Sequence, residues 1–456
     1  MKNIHLALSS LLLLASVPVY SADAPIIAGG YYNNYSPMLV SYQQNQWVYG
    51  IDSQKTPEDN QAGTGIFEKI HCGANTCLAS GIYDPNYSYF LNIPMMARST
   101  DGGQTWDYVM ERNKNLPADF NYDLLGGSFA SIGSTADMLI AVGSYTSNSG
   151  DQKPLLSYST DEGLSWNYST QLPDDSTGRN QFRGVSCQDN TCIVVGTYGA
   201  NNNDYPMILT ISEDNWQYTL DSQQLPDDFH STALFEDISC AQNVCVAVGQ
   251  YYTENSLKPL LVVSHDNGAT WDYQQIAQIN ALEKVSCTST HCVTTGFDEK
   301  GKGYLATGTI NNNEITWEII NSDDTYTHQL RSVSCSSEIC IAGGENYTLH
   351  EASPILLIST DQGKTWDSIV SPDQNVPVDF NKNMRSYFKA VNCDGLTCTA
   401  VGIYNAEYDY PWQGKPMLLM TVDGKEWQYG IDATQNLPKD FSNSGEFNAT
   451  EAKSSN

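Results

Sequence analysis

The stretch that decides the fold reads Ser99-Thr100-Asp101-Gly102-Gly103-Gln104-Thr105-Trp106, and three near-copies of it follow along the chain. The copies are Ser159-Thr160-Asp161-Glu162-Gly163-Leu164-Ser165-Trp166, Ser264-His265-Asp266-Asn267-Gly268-Ala269-Thr270-Trp271 and Ser359-Thr360-Asp361-Gln362-Gly363-Lys364-Thr365-Trp366. A short Asp side chain accepts hydrogen bonds from backbone N–H groups just ahead of it, and Gly adopts a positive φ without steric penalty. Each stretch therefore predicts a hairpin turn followed by a Trp whose large ring is buried against a neighbouring layer.

This pattern, Ser-x-Asp-x-Gly-x-Thr-Trp, resembles the Asp-box (BNR) repeat. Eroded copies end at Trp47, Trp216, Trp317 and Trp427, and Asp214 and Asp423 survive in two of them. The resemblance implies a β-propeller of the sialidase-like superfamily, in which the boxes are structural and lie outside the active site. We therefore interpret the Asp and Trp residues of the four full boxes as folding devices: Asp101, Trp106, Asp161, Trp166, Asp266, Trp271, Asp361 and Trp366.

Two further markers recur in a fixed register around the boxes. A β-like run ends in a Gly, which occurs eight times: Gly30, Gly81, Gly143, Gly196, Gly249, Gly296, Gly344 and Gly402. Upstream of it, an aromatic residue or Leu precedes a variable and often charged residue: Phe67-Glu68, Phe129-Ala130, Phe182-Arg183, Phe235-Glu236, Leu282-Glu283, Leu330-Arg331 and Phe388-Lys389, with Phe447-Asn448 at the end of the chain. Regular repeats of short strands with a Trp motif in each unit are typical of a propeller.

Each repeat reads as four strands, A to D, with the aromatic marker in strand A and the Gly at the end of strand B. The predicted fold class is all-β, a β-propeller of eight four-stranded blades, with seven blades as the alternative. The N-terminus supplies strands B, C and D of one blade, and the segment at Phe447 supplies its strand A. This join closes the ring and removes two exposed sheet edges, so we expect residues 22–456 to form a single domain.

The cysteines and the N-terminus both indicate export. Residues 1–21 have the basic start, short apolar stretch and small-residue end of a secretory signal peptide. Twelve cysteines predict six disulfides across the ends of A–B hairpins, with four residues between partners: Cys72 with Cys77, Cys187 with Cys192, Cys240 with Cys245, Cys287 with Cys292, Cys335 with Cys340, and Cys393 with Cys398. Zinc would need two such pairs, or a pair and histidines, to converge on one point, so we predict no metal and no cofactor. The expected localisation is secreted or periplasmic.

The net charge of −30 narrows the range of partners. A strongly acidic surface repels nucleic acid and anionic lipid, so we predict no nucleic-acid binding. Beyond the signal peptide, no apolar run approaches the length that spans a bilayer, so we predict no membrane insertion. We expect a monomer.

The resemblance does not choose a function, because Asp-box propellers include sialidases, endo-glucanases, sorting-receptor ectodomains and assembly factors. Sialidases of this superfamily use three arginines for the substrate carboxylate, a Tyr–Glu pair as nucleophile and an acid Asp. Only six arginines exist here, so a full triad is hard to assemble. We predict that the charged strand-A residues compensate one another in mixed-sign pairs near the channel, and that catalytic residues are absent. A sialidase-like glycoside hydrolase is the alternative, with these candidates: Arg183, Arg331, Lys389, Glu236 and Glu283.

The predicted function is that of an exported binding or scaffold propeller whose ligand is a glycan or a protein surface. Tyrosines recur in register two positions after the strand-B Gly, and exposed aromatic rings suit such ligands. The candidate ligand-binding residues are Tyr83, Tyr145, Tyr198, Tyr251 and Tyr404. The alternative for these tyrosines is that they cap the cores of the blades.

Overall fold

The computed structural model describes residues 25–60, 63–85, 92–123, 126–169, 171–212, 215–311, 314–320, 327–348, 351–407 and 413–453. The predicted signal peptide and the eroded-box residue Asp214 lie outside these ranges. The regular elements within them are β-strands. In the described part of the chain, no helix is long and apolar enough to cross a membrane.

The strands form eight antiparallel four-stranded sheets, which we number as blades 1 to 8. Blade 1 contains β1 (Ile26–Tyr32), β2 (Ser36–Gln43), β3 (Gln46–Ile51) and the C-terminal β32 (Gly445–Ala452). Blades 2 to 4 contain β4 (Gly65–Cys72), β5 (Cys77–Tyr83), β6 (Ile93–Ser99) and β7 (Asp107–Met110); β8 (Gly127–Ser134), β9 (Leu139–Thr146), β10 (Gln152–Ser159) and β11 (Asn167–Ser169); and β12 (Asn180–Gln188), β13 (Thr191–Ala200), β14 (Asn203–Ser212) and β15 (Asn215–Leu220).

Blades 5 and 6 contain β16 (Ala233–Ala241), β17 (Val244–Tyr252), β18 (Leu257–Ser264) and β19 (Asp272–Tyr273); and β20 (Ala281–Cys287), β21 (His291–Phe297), β22 (Gly303–Asn311) and β23 (Glu314–Ile320). Blades 7 and 8 contain β24 (Thr327–Cys335), β25 (Cys340–Thr348), β26 (Glu351–Ser359) and β27 (Asp367–Val370); and β28 (Arg385–Asp394), β29 (Thr397–Ala406), β30 (Lys415–Thr421) and β31 (Gln428–Ile431).

Ring closure follows the predicted join. The A strands of successive blades contact one another around the ring, so strand A lines a central channel. In blade 1, β32 is strand A and pairs with β1 from Ile26↔Ala452 to Tyr32↔Gly445. The prediction of eight blades closed by a C-terminal strand A is confirmed, and the seven-blade alternative is wrong.

Strand A carries a β-bulge at the same position in every blade. In blade 5, Phe235 pairs with Gly249 and Asp237 with Val248, so Glu236 is the extra residue. A bulged residue leaves the pairing ladder, which explains why this position varies freely while the aromatic residue before it does not. The extra residues in the other blades are Glu68, Ala130, Arg183, Glu283, Arg331, Lys389 and Asn448.

The strand-B glycines exist because of this bulge. A Cβ atom on Gly249 would lie 2.0 Å from the carbonyl oxygen of Leu234 in strand A, far inside van der Waals contact. The glycines of the other seven blades meet an equivalent strand-A carbonyl at 1.9 to 2.3 Å. Close backbone approach, rather than a positive φ, is therefore the reason for Gly at this position.

Neighbouring blades are joined by core packing and by a repeated hydrogen bond. One core cluster combines Ile27 and Leu39 of blade 1 with Phe67 and the Asp-box Trp106 of blade 2. On the strand-A side, the Ser of each Val-Ser-Cys segment accepts a hydrogen bond from the Cys N–H of the next blade. Four such bonds measure 2.9 to 3.0 Å, with the acceptors Ser186, Ser239, Ser286 and Ser334.

The Asp boxes form the predicted turns. The Asp101 carboxylate accepts hydrogen bonds from the N–H of Thr105 at 2.9 Å and from its hydroxyl at 2.6 Å. Trp106 donates its ring N–H to the carbonyl of Gly103 at 2.9 Å, and Gly103 has a φ of 88°. Asp161, Asp266 and Asp361 make the same bonds to their own Ser or Thr.

The face that carries these turns and the A–B hairpins is called the lower face here, and the face that carries the D–A and B–C connections is the upper face. A disulfide joins each of the six predicted cysteine pairs on the lower side. Blade 3 has Ser134 and Leu139 at the equivalent positions.

Five of the disulfides that close the A–B hairpins also pack into the core between blades. In five pairs the first cysteine is half-buried, as Cys187 is, but the second has an exposure of 2% or less. These buried cysteines are Cys192, Cys245, Cys292, Cys340 and Cys398. Each one packs in a core cluster shared with the preceding blade, because strand B is covered on both sides by neighbouring blades. The prediction of six disulfides across the ends of A–B hairpins is confirmed, and the second sulfur of these five pairs also belongs to the hydrophobic core.

Ring closure gives the first testable prediction. Deletion of residues 442–456 removes β32, and Phe447 within it is fully buried. Phe447→Ala alone should cost about 3–5 kcal/mol, and the deletion should cost more because a ladder of backbone hydrogen bonds is lost with it. The midpoint of thermal unfolding measures both. Deletion of 454–456, which leaves β32 intact, is the control, and an unchanged midpoint after the longer deletion would contradict the closure.

The Asp-box carboxylates give a pH prediction. Hydrogen bonds from the Ser165 hydroxyl and N–H lower the pKa of Asp161 from 3.8 to about 2. A carboxyl with a lowered folded-state pKa stabilises the fold above its unfolded pKa and loses that contribution as the pH falls through the folded value. The melting temperature of Asp161→Asn should therefore lie below that of the wild type near neutral pH. The difference should shrink as the pH falls from about 4 towards 2.

The control for this prediction is Asp137→Asn, at an exposed position in an A–B turn of blade 3. It should leave the melting temperature unchanged at every pH. A gap between Asp161→Asn and wild type that stays constant down to pH 2 would show that the charge of Asp161 does not stabilise the turn.

Candidate ligand site at the upper channel mouth

The central channel contains a cavity of about 660 Å³ between the A strands. Seven of the eight bulged residues line it: Glu68, Ala130, Glu236, Glu283, Arg331, Lys389 and Asn448. The next position along strand A adds Lys69, Asp237 and Lys284 to the wall. The predicted clustering of mixed-sign charge near the channel therefore corresponds to a ring of bulged residues.

The charges are only partly paired. Arg183 and Glu236 form an ion pair at 2.7 Å, and Lys284 lies 4.0 Å from Asp237. Burial lowers the pKa of Lys69 to about 8, with a further contribution from Lys284. Burial also raises the pKa values of Glu68 and Glu283. Glu68, Lys69 and Glu283 are partly exposed in the cavity wall, where a polar ligand would meet them.

Three blades place a denser cluster at the upper mouth. Arg331 forms an ion pair with Glu345, and Arg385 reaches the same carboxylate at 3.3 Å. Both guanidinium groups lie over the ring of Tyr387, at 4.8 and 4.9 Å from its centroid. Glu345 has no exposed surface, so two arginines compensate its buried charge. Arg385 and Tyr387 begin strand A of blade 8, and Glu345 lies near the end of strand B of blade 7, which puts all of them at the upper face.

A tyrosine–glutamate pair adjoins the arginines. The Tyr387 hydroxyl donates to Oε1 of Glu446 at 2.8 Å, and the Tyr31 hydroxyl donates to Oε2 of the same carboxylate at 3.3 Å. Burial and the charge of Glu446 hold the pKa of both tyrosines well above the usual value, so both hydroxyls stay protonated. Tyr31 stacks on Tyr35 with ring centroids 4.8 Å apart. The cluster thus combines guanidinium groups, aromatic rings and hydrogen-bonded carboxylates. Glu345, Tyr387 and Glu446 are buried in it, and Arg331, Arg385 and Tyr31 are partly exposed.

Sequence reasoning found part of this cluster. Of the predicted charged residues, Arg331 belongs to it, Glu236, Glu283 and Lys389 line the cavity below, and Arg183 is bound to Glu236. Five residues of the cluster were missed: Tyr31, Glu345, Arg385, Tyr387 and Glu446. Their signal was one of register, since Tyr387 and Glu446 directly precede the strand-A aromatic residue and Glu345 directly follows the strand-B Gly.

The five tyrosines predicted as ligand contacts are buried, each at 4% exposure or less: Tyr83, Tyr145, Tyr198, Tyr251 and Tyr404. Four of their hydroxyls donate to an Asp in the D–A connection that precedes the blade, as Tyr251 does to Asp228 at 2.9 Å. The fifth, Tyr198, accepts the N–H of Ser222 at 3.0 Å. In blade 1, the Tyr32 hydroxyl likewise donates to an Asp of the D–A connection, Asp440, and the sequence analysis did not predict this tyrosine. This geometry favours the alternative, that these rings cap the blade cores, and contact with a ligand stays a prediction.

One group of side chains has the composition of a metal site. The ligand atoms of His291, Cys335 and Cys340 lie within 4.8 Å of one another. The two cysteines are joined in a disulfide, and a metal binds the thiolate, so this group holds no metal while the disulfide is closed.

Comparisons with known proteins agree with the repeat and the fold. The family model of the BNR/Asp-box repeat matches residues 357–368, the fourth full box. A sialidase of Clostridium perfringens is 25% identical over an alignment of 201 positions, and the match covers 39% of this chain and 51% of that protein. The chain therefore spans about half the length of the curated relative it matches.

Solved structures resemble the chain at low identity. The Hadza microbial sialidase Hz136 shares 15% identity at a TM-score of 0.42, over 68% of this chain and 71% of that one. A prolyl endopeptidase shares 10% identity at a TM-score of 0.50, over 95% of this chain and 61% of that one. At these identities the likeness concerns the propeller fold alone.

Proposed function

We propose that this eight-bladed β-propeller with Asp-box repeats is an exported binding protein whose ligand, a glycan, enters the upper mouth of the channel. The observation that carries the proposal is the contact of Arg331, which lines the central cavity, with the neighbouring Tyr387, over whose ring Arg385 also lies. Concave sites with a few fixed polar groups and aromatic walls are the usual form of small-ligand sites.

The side chains favour a glycan that carries a carboxylate. A partly exposed tyrosine ring such as that of Tyr31 suits the C–H face of a sugar. The carboxylate of Glu446, which accepts from the hydroxyls of Tyr31 and Tyr387, holds both rings in place. Arg331 and Arg385 share the carboxylate of Glu345 and lie near the ring of Tyr387. A guanidinium group has five N–H donors, so the donors that Glu345 does not use are the ones proposed to meet the carboxylate of a ligand. The unpaired lysines and acids of the channel below suit the polar remainder of a longer chain.

Binding is favoured over hydrolysis because the arginines do not gather as a triad. All six arginines lie in the described ranges, and two of them share the upper mouth. Arg183 forms an ion pair with Glu236, and it lies in blade 4, three blades away from Arg331 in blade 7. The remaining three lie elsewhere: Arg98 and Arg112 in ion pairs with Glu162 and Asp59, and Arg179 in a cleft between blades 3 and 4.

A sialidase-like glycoside hydrolase is the second candidate, and the Tyr387–Glu446 contact favours it. A tyrosine nucleophile needs a base that removes the proton of its hydroxyl group. The carboxylate of Glu446 is placed for this role, because it accepts a hydrogen bond from the Tyr387 hydroxyl at 2.8 Å. The raised pKa of Tyr387 opposes this chemistry near neutral pH, because the phenolate is costly in a buried site.

We also propose that residues 1–21 are removed on export, that residues 22–456 form one domain, and that the protein is a secreted or periplasmic monomer. The six disulfides support an oxidising compartment.

A glycan array with acidic and neutral glycans tests the proposal. The mature wild-type protein should bind carboxylated glycans, and Arg385→Ala should weaken that binding by at least about tenfold, since a charge-assisted bidentate contact is lost. The matched control is Arg98→Ala, which removes an arginine from the lower face and should bind like the wild type.

Other results would change the conclusion. Absence of glycan binding together with capture of a protein partner would replace the glycan by a protein surface. Turnover of a fluorogenic sialoside that Tyr387→Phe abolishes and Arg98→Ala preserves would make the protein a hydrolase. Binding that survives Arg385→Ala and Arg331→Ala would place the ligand away from the upper mouth.

A further inference from the structure

The six disulfides share one register but have different neighbours. His291 in blade 6 places Nε2 at 3.2 Å from Sγ of Cys340 in blade 7. His291 directly precedes Cys292, and at the equivalent position three of the other disulfides have a Thr: Thr76, Thr191 and Thr397. Within the described ranges, this is the one group of His and Cys ligand atoms close enough together to hold a metal.

The contact fixes the direction of the hydrogen bond. A disulfide sulfur has no proton, so Nε2 must carry the proton and donate it to Sγ of Cys340. The other ring nitrogen, Nδ1, lies 2.9 Å from the Thr288 hydroxyl and 3.1 Å from the Thr290 hydroxyl, either of which can donate to it. The two threonines thus stabilise the tautomer that directs a proton at the sulfur.

We propose that Cys335–Cys340 is the reducible disulfide of this protein and that, once open, Cys335, Cys340 and His291 form a zinc site between blades 6 and 7. Cys335 is half-buried and Cys340 is 1% exposed, so a thiolate from solvent attacks Cys335. Cys340 is then the leaving group, and the Nε2 proton of His291 stabilises the sulfur on which negative charge develops. A stabilised leaving thiolate speeds thiol–disulfide exchange.

The step balances with a dithiol reductant. One thiolate of the dithiol bonds to Sγ of Cys335, the Cys335–Cys340 bond breaks, and its electron pair goes to Sγ of Cys340. The second thiol of the dithiol then displaces Cys335 and closes the reductant as a disulfide. The protein gains two electrons and two protons, and two thiols remain beside His291.

Zinc binding follows from the same geometry. Zn²⁺ takes two thiolates and one imidazole nitrogen in a tetrahedral site, with water in the fourth position. Both thiol protons go to solvent, and the Nε2 proton of His291 moves to Nδ1, where the Thr288 and Thr290 hydroxyls accept it. Two Zn–S bonds of about 2.3 Å at a tetrahedral angle place the sulfurs roughly 3.8 Å apart. The sulfurs must therefore move apart when the disulfide opens, and they do so beside His291, since the three ligand atoms start within 4.8 Å of one another.

Timed reduction of the oxidised protein with dithiothreitol, followed by alkylation and peptide mapping, tests whether Cys335–Cys340 is the most readily reduced disulfide. Cys335–Cys340 should open roughly three- to tenfold faster than the other five disulfides. In His291→Thr, which installs the residue found in blades 2, 4 and 8, that advantage should disappear. Equal rates for all six disulfides in the wild type, a comparison that needs no variant, would overturn the proposal.

Zinc titration of the partly reduced protein, read with a chromophoric chelator, tests whether the opened cysteines and His291 bind zinc. The wild type should retain about one Zn²⁺ per molecule after Cys335–Cys340 opens, and the fully oxidised protein should retain none. His291→Thr should release its Zn²⁺ at roughly ten- to a hundredfold lower chelator concentration. An opened Cys335–Cys340 pair that retains no Zn²⁺ would overturn the metal site.

Discussion

The close contact between the strand-A bulge and the strand-B glycine is the constraint on which the rest of the ring depends. The extra residue in strand A pushes the backbone before it against strand B, so that a Cβ on Gly249 or its equivalents would collide with a carbonyl oxygen. With Gly in place, the bulge re-aims strand A, and the aromatic residue beside it, such as Phe235, is buried between blades. Eight copies of this arrangement set the inner circumference of the propeller.

The same contact distinguishes the strand-A positions at which the fold requires a particular residue type from the one position at which the residue type can vary. Residues on either side of the bulge serve the fold: Ser239 bonds the next blade, and Cys240 joins the hairpin. The bulged residue itself leaves the ladder and faces the channel, so its identity has little effect on stability. Charge can therefore vary from Glu68 to Arg331 around one ring, which lets an unchanged scaffold present a specific set of side chains to a ligand.

The sequence predicted the features that repeat and missed those that occur once. The number of blades, the closing strand at Phe447 and the cysteine pairs could be predicted, because the same residue types recur at equivalent positions of each repeat. Contacts between blades recur at the spacing of the repeat, but the residue types that make a functional pair occur once. Tyr387 and Glu446 lie 59 residues apart, as Ser334 and Cys393 do, and His291 and Cys340 lie 49 residues apart, as Ser286 and Cys335 do. The spacing therefore shows which positions meet, and it does not single out the positions that carry such a pair.

Denaturant unfolding of Gly249→Ala compared with Gly150→Ala tests the bulge–glycine constraint directly. Gly249 has a carbonyl oxygen 2.0 Å from the added methyl group, whereas Gly150 lies in a turn with φ of 87° and nothing within 4 Å. Gly249→Ala should cost more than about 3 kcal/mol because the backbone must move, and Gly150→Ala about 1 kcal/mol from backbone strain. Equal, small losses for both variants would mean that the bulge does not require Gly, and that another interaction holds the blades in their ring.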